Sequence, residues 1–317
     1  MTQAPILSVV VPVYKEERSI KPFLDRLEPV LAPLGSYEIL FALDPSPDRT
    51  EAVIEAEIAR NPRIGLIVMS RRFGQPSATM AGILHAQGEA CVVIDVDLQD
   101  PPELIEAMVA KWRDGFDVVY AQRRSRKGET LVKKAISYFG YWVINRLSDV
   151  AIPRNTGDFR LLSRKVIEEL RRLPERHGFL RGLVAFVGFR QAAVDYDRDE
   201  RAVGQGNYNR FLGSMRIGLN GLIGFSTVPL SLLMWLGLAV ASLSVLGILF
   251  IVATFAMGTD YPLGVPTLVI LVLFLGGVQL TGIGLLGEYI GRIYEEVRHR
   301  PRYIVERRIN LPPPPSA

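Results

Sequence analysis

Apolar and polar positions along the first 120 residues alternate between two kinds of pattern. Ile6–Val13 is a continuous apolar run, as expected of a strand buried on both faces. Ser19–Leu34 then places Ile20, Phe23, Leu24, Leu27, Val30 and Leu31 at helical spacing. The alternation repeats. Strand Glu38–Leu43 precedes helix Glu51–Arg60, and strand Ile64–Met69 precedes helix Ser77–Ala86. A run into Asp95 and Asp97 precedes helix Glu103–Asp114, and strand Asp117–Ala121 follows. Further on, Lys133–Leu147 has helical spacing with Tyr138, Phe139, Tyr141 and Trp142, Thr156–Arg160 opens a short strand, and Val166–Leu173 is a helix. Strands and helices in this order predict an α/β fold, a mostly parallel sheet with helices on both faces.

The stretch Ala90-Cys91-Val92-Val93-Ile94-Asp95-Val96-Asp97 runs from a β-rich segment into two carboxylates spaced i, i+2. If the strand persists that far, its alternation sets Asp95 and Asp97 on one side of the backbone. Two acids at the carboxyl end of a strand can hold a hard divalent cation, and that cation can neutralise a diphosphate. A lone Asp-x-Asp is also what a solvated strand end looks like. Its place as the fourth βα step favours a ligand site, because open α/β sheets bind ligands at the carboxyl ends of their strands. Pro101-Pro102 then stops the strand and opens a helix.

Charge divides the chain more sharply than composition does. Lys and Arg number 37 against 33 Asp and Glu, yet between Leu222 and Gly287 the single charged residue is Asp260. Val228–Met257 and Val265–Gly287 are each long enough to span a bilayer, for which about 20 apolar residues suffice. Arg292, Arg298, Arg300, Arg302, Arg307 and Arg308 follow the second span, and the connection between the spans holds no Lys or Arg. Positive charge thus marks both flanks as cytoplasmic and predicts a hairpin. Ahead of it, Tyr208–Ile223 gathers Phe211, Leu212, Met215, Leu219 and Leu222 on one face, with Arg210 and Arg216 off it, as in an interfacial helix. The expected organisation is a cytosolic domain over 1–207, an amphipathic region over 208–225, a two-helix hairpin over 226–290 and a basic tail over 291–317. No basic segment followed by an apolar core opens the chain, so a cytosolic catalytic part is expected. The single cysteine, Cys91, cannot form an internal disulfide, and His85, His177 and His299 lack zinc-ligand spacing. Gly282-Ile283-Gly284-Leu285-Leu286-Gly287 matches a dinucleotide fingerprint by letter, but in an apolar span it reads as a helix-packing surface that continues to Gly291.

Several stretches together resemble the polyprenyl-phosphate glycosyltransferases of family 2, including GtrB-like enzymes and dolichyl-phosphate mannose synthase. They are Val11-Pro12-Val13-Tyr14-x-Glu16-Glu17, Ser70-Arg71-x-Phe73-Gly74, Asp95-x-Asp97-Leu98-Gln99-Asp100-Pro101-Pro102-Glu103 and Asn155-Thr156-Gly157-Asp158-Phe159-Arg160-Leu161. Gly287–Glu296 is similar to the two-span bacterial members. The resemblance implies a GT-A fold followed by the interfacial helix and two transmembrane helices. It implies inverting transfer of a sugar from a nucleotide sugar to an undecaprenyl-like polyprenyl phosphate at the inner membrane, with Mg2+ or Mn2+. A UDP-sugar is favoured and glucose is the default. A uronic acid such as galacturonic acid, an aminoarabinose derivative and GDP-mannose stay as alternatives.

By the same resemblance, Pro12, Tyr14 and Glu16 line the nucleotide site, and Asp44 and Val96 complete the donor set. Asp95 holds the ribose or the metal, Asp97 the metal, and Gln99 faces the sugar. Arg201 contacts the donor diphosphate, Arg123, Lys133 and Ser137 take the lipid phosphate, and Asp158 is the acid described as the base. A phosphate monoester with a second pKa of about 6 is already largely ionised at neutral pH. Orienting a sugar hydroxyl or the metal shell is therefore an equal role for Asp158. The chain departs from the family pattern at Leu43-Asp44-Pro45-Ser46, where an acid is lost, and at Gly204-Gln205-Gly206-Asn207-Tyr208, where a lysine is lost. The first departure bears on the usual nucleobase contact, and the second removes a phosphate partner and points to an unusual donor, such as a charged sugar. A processive synthase is disfavoured because no tryptophan follows an arginine. A catalytically inactive membrane-anchored binding protein would be expected to lack Asp95, Asp97 or Asp158. Membrane lipids are expected partners, nucleic acid is not, and self-association stays open.

Overall fold

The computed structural model describes residues 5–124, 153, 156–173, 175, 180–197, 228–258 and 264–311. Strands β1 (Leu7–Val13), β2 (Tyr37–Leu43), β3 (Ile64–Met69) and β4 (Ala90–Val93) alternate with helices α1 (Ile20–Leu31), α2 (Thr50–Arg60) and α3 (Gln75–His85). After α4 (Leu104–Arg113) come β5 (Val118–Arg123) and β6 (Thr156–Ser163). Then follow α5 (Arg164–Arg172), α6 (Leu180–Val187) and β7 (Gln191–Tyr196). Two long helices, α7 (Val228–Ala256) and α8 (Val265–Val297), precede a last strand, β8 (Val305–Ile309).

The eight strands form one sheet in the order β7-β5-β6-β4-β1-β2-β3-β8. Its centre is parallel: β1 lies between β2 and β4, and β3 pairs with β2. Antiparallel β6 is inserted between β4 and β5, and β5 pairs in parallel with β7. All seven residues of β1 are buried, as a strand covered on both faces requires. Val9 and Val11 belong to the main core with Phe23 and Leu27 of α1 and with Ile105 and Met108 of α4. Val10 turns to the other face and meets Gly82 of α3, where a Cβ would strike its methyl group, so only glycine admits that approach. The sheet is mostly parallel with flanking helices, the GT-A architecture.

Helix α6 and strands β7 and β8 are not among the elements expected from the sequence. Strand β8 lies in the segment read as a basic tail. It adds antiparallel to the edge of β3, pairing Leu66 with Ile309 and Val68 with Arg307. Ser70 N donates to Ile304 O at 2.9 Å, Arg307 pairs with Glu51 and Glu55, and Asn310 Nδ2 donates to Pro62 O at 2.8 Å. Tyr303 packs with Met69, Ala78 and Ala81, and its ring lies 6.1 Å from that of His85.

The described residues up to Asp197, together with those from Pro301 onward, form one compact unit, and α7 with α8 form a second. In the second unit, Gly282 of α8 faces the Leu233 side chain, while Gly284, Gly287 and Gly291 meet nothing within 4 Å. The expected small-residue packing surface is thus used at one position. Helices α7 and α8 have 29 and 33 residues, and Leu232, Trp235, Leu249, Phe250, Leu268, Leu271 and Leu280 stand exposed on them. Among the described residues, no helix is long and apolar enough to cross a membrane. The expected interfacial helix over 208–225 and the helix over Lys133–Leu147 lie outside the described residues.

Candidate active site

The carboxyl ends of parallel strands β1, β2, β3, β4, β5 and β7 lie at one edge of the sheet. Because β6 runs the other way, its first residues reach the same edge. Val93 pairs with Arg160. Two residues beyond Val93 is Asp95, and two before Arg160 is Asp158. Opposite strand directions therefore bring to one end two acids separated by 63 positions in sequence.

Strand β4 ends at Val93, so Asp95 and Asp97 lie in a turn beyond it. The strand alternation expected to orient them is corrected in origin. The turn still alternates in exposure: Asp95, Asp97 and Gln99 are half-buried, while Val96, Leu98 and Asp100 are buried. Leu98 has a φ of 59°, which costs backbone strain. Asp97 accepts from Gln99 N at 3.2 Å, a local side-chain bond of the kind that favours turns, and Asp95 accepts from Gln75 Nε2 at 2.9 Å. Gln75 opens α3 after Gly74 (φ 92°), a partner that the sequence did not single out. Among the described residues no three acids, histidines or cysteines gather as a metal set. Two half-exposed carboxylates suit a cation that takes its remaining ligands from diphosphate and water.

At the ends of β1, β2 and β3 the donor-site residues of the sequence reading come together in part. Pro12 is buried in the ladder opposite Ala42. Tyr14 carries the Arg72 guanidinium over its ring at 4.0 Å, and Arg72 Nη1 donates to its hydroxyl at 3.4 Å. Glu16 accepts from Ser19 Oγ at 2.7 Å, and its backbone N–H donates to Thr50 Oγ1 at 2.9 Å. Asp44 is 2 % exposed and binds the loop after β3, accepting from Phe73 N at 2.9 Å and Gly74 N at 2.7 Å. In this arrangement Asp44 holds the loop after β3 against the end of β2.

Asp158 sits among arginines. Arg181 Nε donates to Oδ1 at 2.9 Å, and Arg160 and Arg123 add charge. Burial pushes the Asp158 carboxyl up, but Arg181, Arg160 and Arg123 together overcome that and hold it below the usual carboxylate range. Arg160 is 4 % exposed; its Nη2 donates to Gly157 O at 2.8 Å, and its Nε finds no hydrogen-bond partner among the described residues. Burial lowers the Arg160 pKa to about 10, against the raising effect of Asp158. A carboxylate held this way orients a hydroxyl well and takes up a proton poorly.

Arg123 is drawn inward. Its Nε donates to Tyr196 Oη at 3.1 Å, and its Nη2 lies 3.9 Å from Asp100 Oδ1. The Tyr196 hydroxyl donates to Asp100. Burial and the Asp100 charge push Tyr196 up to about 12, so it remains a donor. Neither Tyr196 nor Arg181 belongs to a motif of the sequence. Lys133, Ser137 and Arg201 lie outside the described residues.

The sequence profile of Glycosyl transferase family 2 matches residues 8–171. An uncharacterised glycosyltransferase of Synechocystis is 46% identical over 94% of both chains. The bactoprenol glucosyl transferase of Shigella phage SfV is 42% identical over 95% of this chain and 98% of its own. The prophage bactoprenol glucosyl transferase homolog of Escherichia coli K12 is 40% identical over 95% and 98%. Among solved structures, glucosyl-3-phosphoglycerate synthase of Mycobacterium tuberculosis, in complex with Mn2+, UDP and phosphoglyceric acid, superposes with a TM-score of 0.51. It shares 20% identity, over 69% of this chain and 78% of its own. The mannosyltransferase PcManGT of Pyrobaculum calidifontis, in complex with GDP-Man and Mn2+, gives 0.50 at 17% identity, over 95% and 89%. Both likenesses are of fold.

Proposed function

Because the chain belongs to glycosyl transferase family 2, we propose that it moves glucose from UDP-glucose to a polyprenyl phosphate, inverting the anomeric carbon. The observation that carries this reading is the meeting, at one sheet end, of half-exposed Asp95 and Asp97 with the arginine-held Asp158. Similarity along nearly the whole chain to bactoprenol glucosyl transferases supports the sugar and the acceptor.

Asp95 and Asp97 would hold Mg2+ or Mn2+, which when bound supplies positive charge to the departing diphosphate. Pro12, Tyr14, Glu16, Asp44 and Val96 form the donor wall, Gln99 faces the sugar, and Arg201 adds charge to the diphosphate. The acceptor phosphate is ionised near neutral pH, with a second pKa of about 6, so it attacks without a protein base. Asp158 then orients a hydroxyl, and Lys133 and Ser137 receive the phosphate. Arg123 adds its charge to the acceptor phosphate, with its Nε engaged by Tyr196.

Helices α7 and α8 are read as membrane spans on their complete sequence. The segment from Val228 to Gly287 holds one charged residue, Asp260. About 20 apolar residues suffice for a span, and each of the two apolar stretches of the sequence exceeds that. The arginines beyond Gly291 support a tail on the cytoplasmic side of the inner membrane. A charged-sugar donor is the second reading, and the departure that motivates it is Asn207 in place of a lysine.

Purified protein in detergent, given undecaprenyl phosphate, Mn2+ and a panel of nucleotide sugars, is expected to yield undecaprenyl-phosphate-hexose by mass. Turnover of a UDP-uronic acid in preference to UDP-glucose would establish the second reading. Donor binding with no product from any sugar would make the chain a binding protein.

A further inference from the structure

The turn from Asp95 to Asp100 carries the proposed metal carboxylates, and something must fix its shape. At its start Ile94 N donates to Val10 O at 3.1 Å, which ties it to β1. At its end stands Asp100, a carboxylate only 2 % exposed. A buried charge persists only where it is paired and hydrogen-bonded. Two of its partners come from the other half of the sheet. Tyr196, 5 % exposed at the end of β7, donates its hydroxyl to Asp100, and Arg123, at the end of β5, donates to that same hydroxyl. Arg123 and Tyr196 are register partners, and Arg124 N donates to Tyr196 O at 3.0 Å, so the two side chains are held on a paired backbone. We propose that Tyr196 is a positioning residue, clasping Asp100 to the ends of β5 and β7 and thereby setting the placement of Asp95 and Asp97.

The same clasp reaches Asp158. A Cβ on Gly157 would lie 3.3 Å from Arg123 Nη2, so the Arg123 guanidinium passes beside the start of β6. Arg123 thus stands between the anchor of the metal turn and the acid on the facing strand. Without the tyrosine hydroxyl, Asp100 keeps only the 3.9 Å approach to Arg123 from this pair. The turn, already carrying the positive φ of Leu98, then loses the support that the tyrosine hydroxyl gives its far end. Leu98 sits between Asp97 and Asp100, and relaxation of that residue would rotate the carboxylate beside it.

This inference rests on the metal reading above, and the test separates the two. Mn2+ is titrated into the full-length protein in detergent with UDP, following the loss of the free-ion electron paramagnetic resonance signal. A wild type that binds no Mn2+ would overturn the metal reading itself. With wild-type binding present, Tyr196→Phe is expected to weaken Mn2+ about tenfold while retaining a cooperative melt, the scale of one hydrogen bond to a charged group. Asp100→Asn, which keeps an acceptor for the tyrosine, is expected to lose less than Tyr196→Phe does. Mn2+ affinity within about twofold of wild type in a folded Tyr196→Phe would show a purely structural bond and overturn the proposal. If Tyr196→Phe fails to fold, Asp100→Ala replaces it, and wild-type Mn2+ affinity there overturns the proposal equally.

Discussion

At the scale of single residues, the protonation state of Asp158 bears most directly on mechanism. Burial raises its carboxyl, but Arg181, Arg160 and Arg123 lower it further than burial raises it. A group with a depressed folded pKa is ionised through the neutral range. Any stability it contributes is present above its unfolded value and lost as pH falls through the folded one. The transfer rate is therefore expected to fall on the acid side near pH 6, where the acceptor phosphate protonates. Asp158→Asn should reduce kcat on the order of a hundredfold and leave that limb in place. Disappearance of the limb in the variant would make Asp158 the base. Gln75 is a second residue of interest, because its side chain amide meets Asp95. Gln75→Ala should raise the donor KM several-fold, with kcat nearly unchanged, and unaltered kinetics would remove it from the site.

At the scale of elements, β8 closes what would otherwise be an open edge of β3. An uncovered parallel strand edge pairs readily with other chains. Ending the chain before Pro301 should therefore lower the melting temperature and promote aggregation of the detergent-solubilised protein. A truncated chain that melts as the full one does would show that β8 adds nothing. His85 lies beneath this segment, its Nδ1 donating to Ala81 O at 2.8 Å and its Nε2 buried without a partner among the described residues. Burial, with Arg308 and Arg171 opposing a second positive charge, holds His85 below its ordinary 6.5. The unfolded chain thus binds this proton more readily than the folded one. The stability His85 supplies is present above about pH 6.5 and declines as pH falls toward the folded value. Thermal melts between pH 5 and 7.5 should show a steeper acid loss in wild type than in His85→Gln. Parallel curves would remove His85 as the cause.

At the scale of the whole molecule, the topology of the proposed hairpin can be tested against a quiet background. Cys91 is fully buried and burial pushes its thiol up, so it labels poorly. Met257 stands 75% exposed just beyond α7, and Met257→Cys supplies a single reactive thiol there. A membrane-impermeant maleimide added to intact spheroplasts is expected to label this position without lysis. Labelling that requires lysis would invert the hairpin and place the catalytic unit away from cytosolic nucleotide sugars.

The local code of this chain is legible in its sequence because strands and helices of the first 120 residues are set by apolar period, Pro and Gly. Burial of all of β1 and the run from α1 to β5 follow from that pattern. The carboxylates Asp95, Asp97 and Asp158 were legible as residues, since their types and neighbours carry the chemistry. Their surroundings were not. Strand β8 is rich in arginine, and its pairing with β3 spans more than 230 positions, so its stability comes from a distant edge rather than from its own sequence. Tyr196 lies 96 positions from Asp100, and Arg181 lies 23 from Asp158, with no periodicity joining either pair. Ion pairing and hydrogen bonding at the sheet edge depend on which strands become neighbours. That ordering, with β6 reversed between β4 and β5, is a property of the assembled sheet. Sequence thus determined which groups are available for the chemistry, and tertiary structure decided that Arg123 turns inward, that Asp44 holds a loop, and that Arg181 pairs with Asp158.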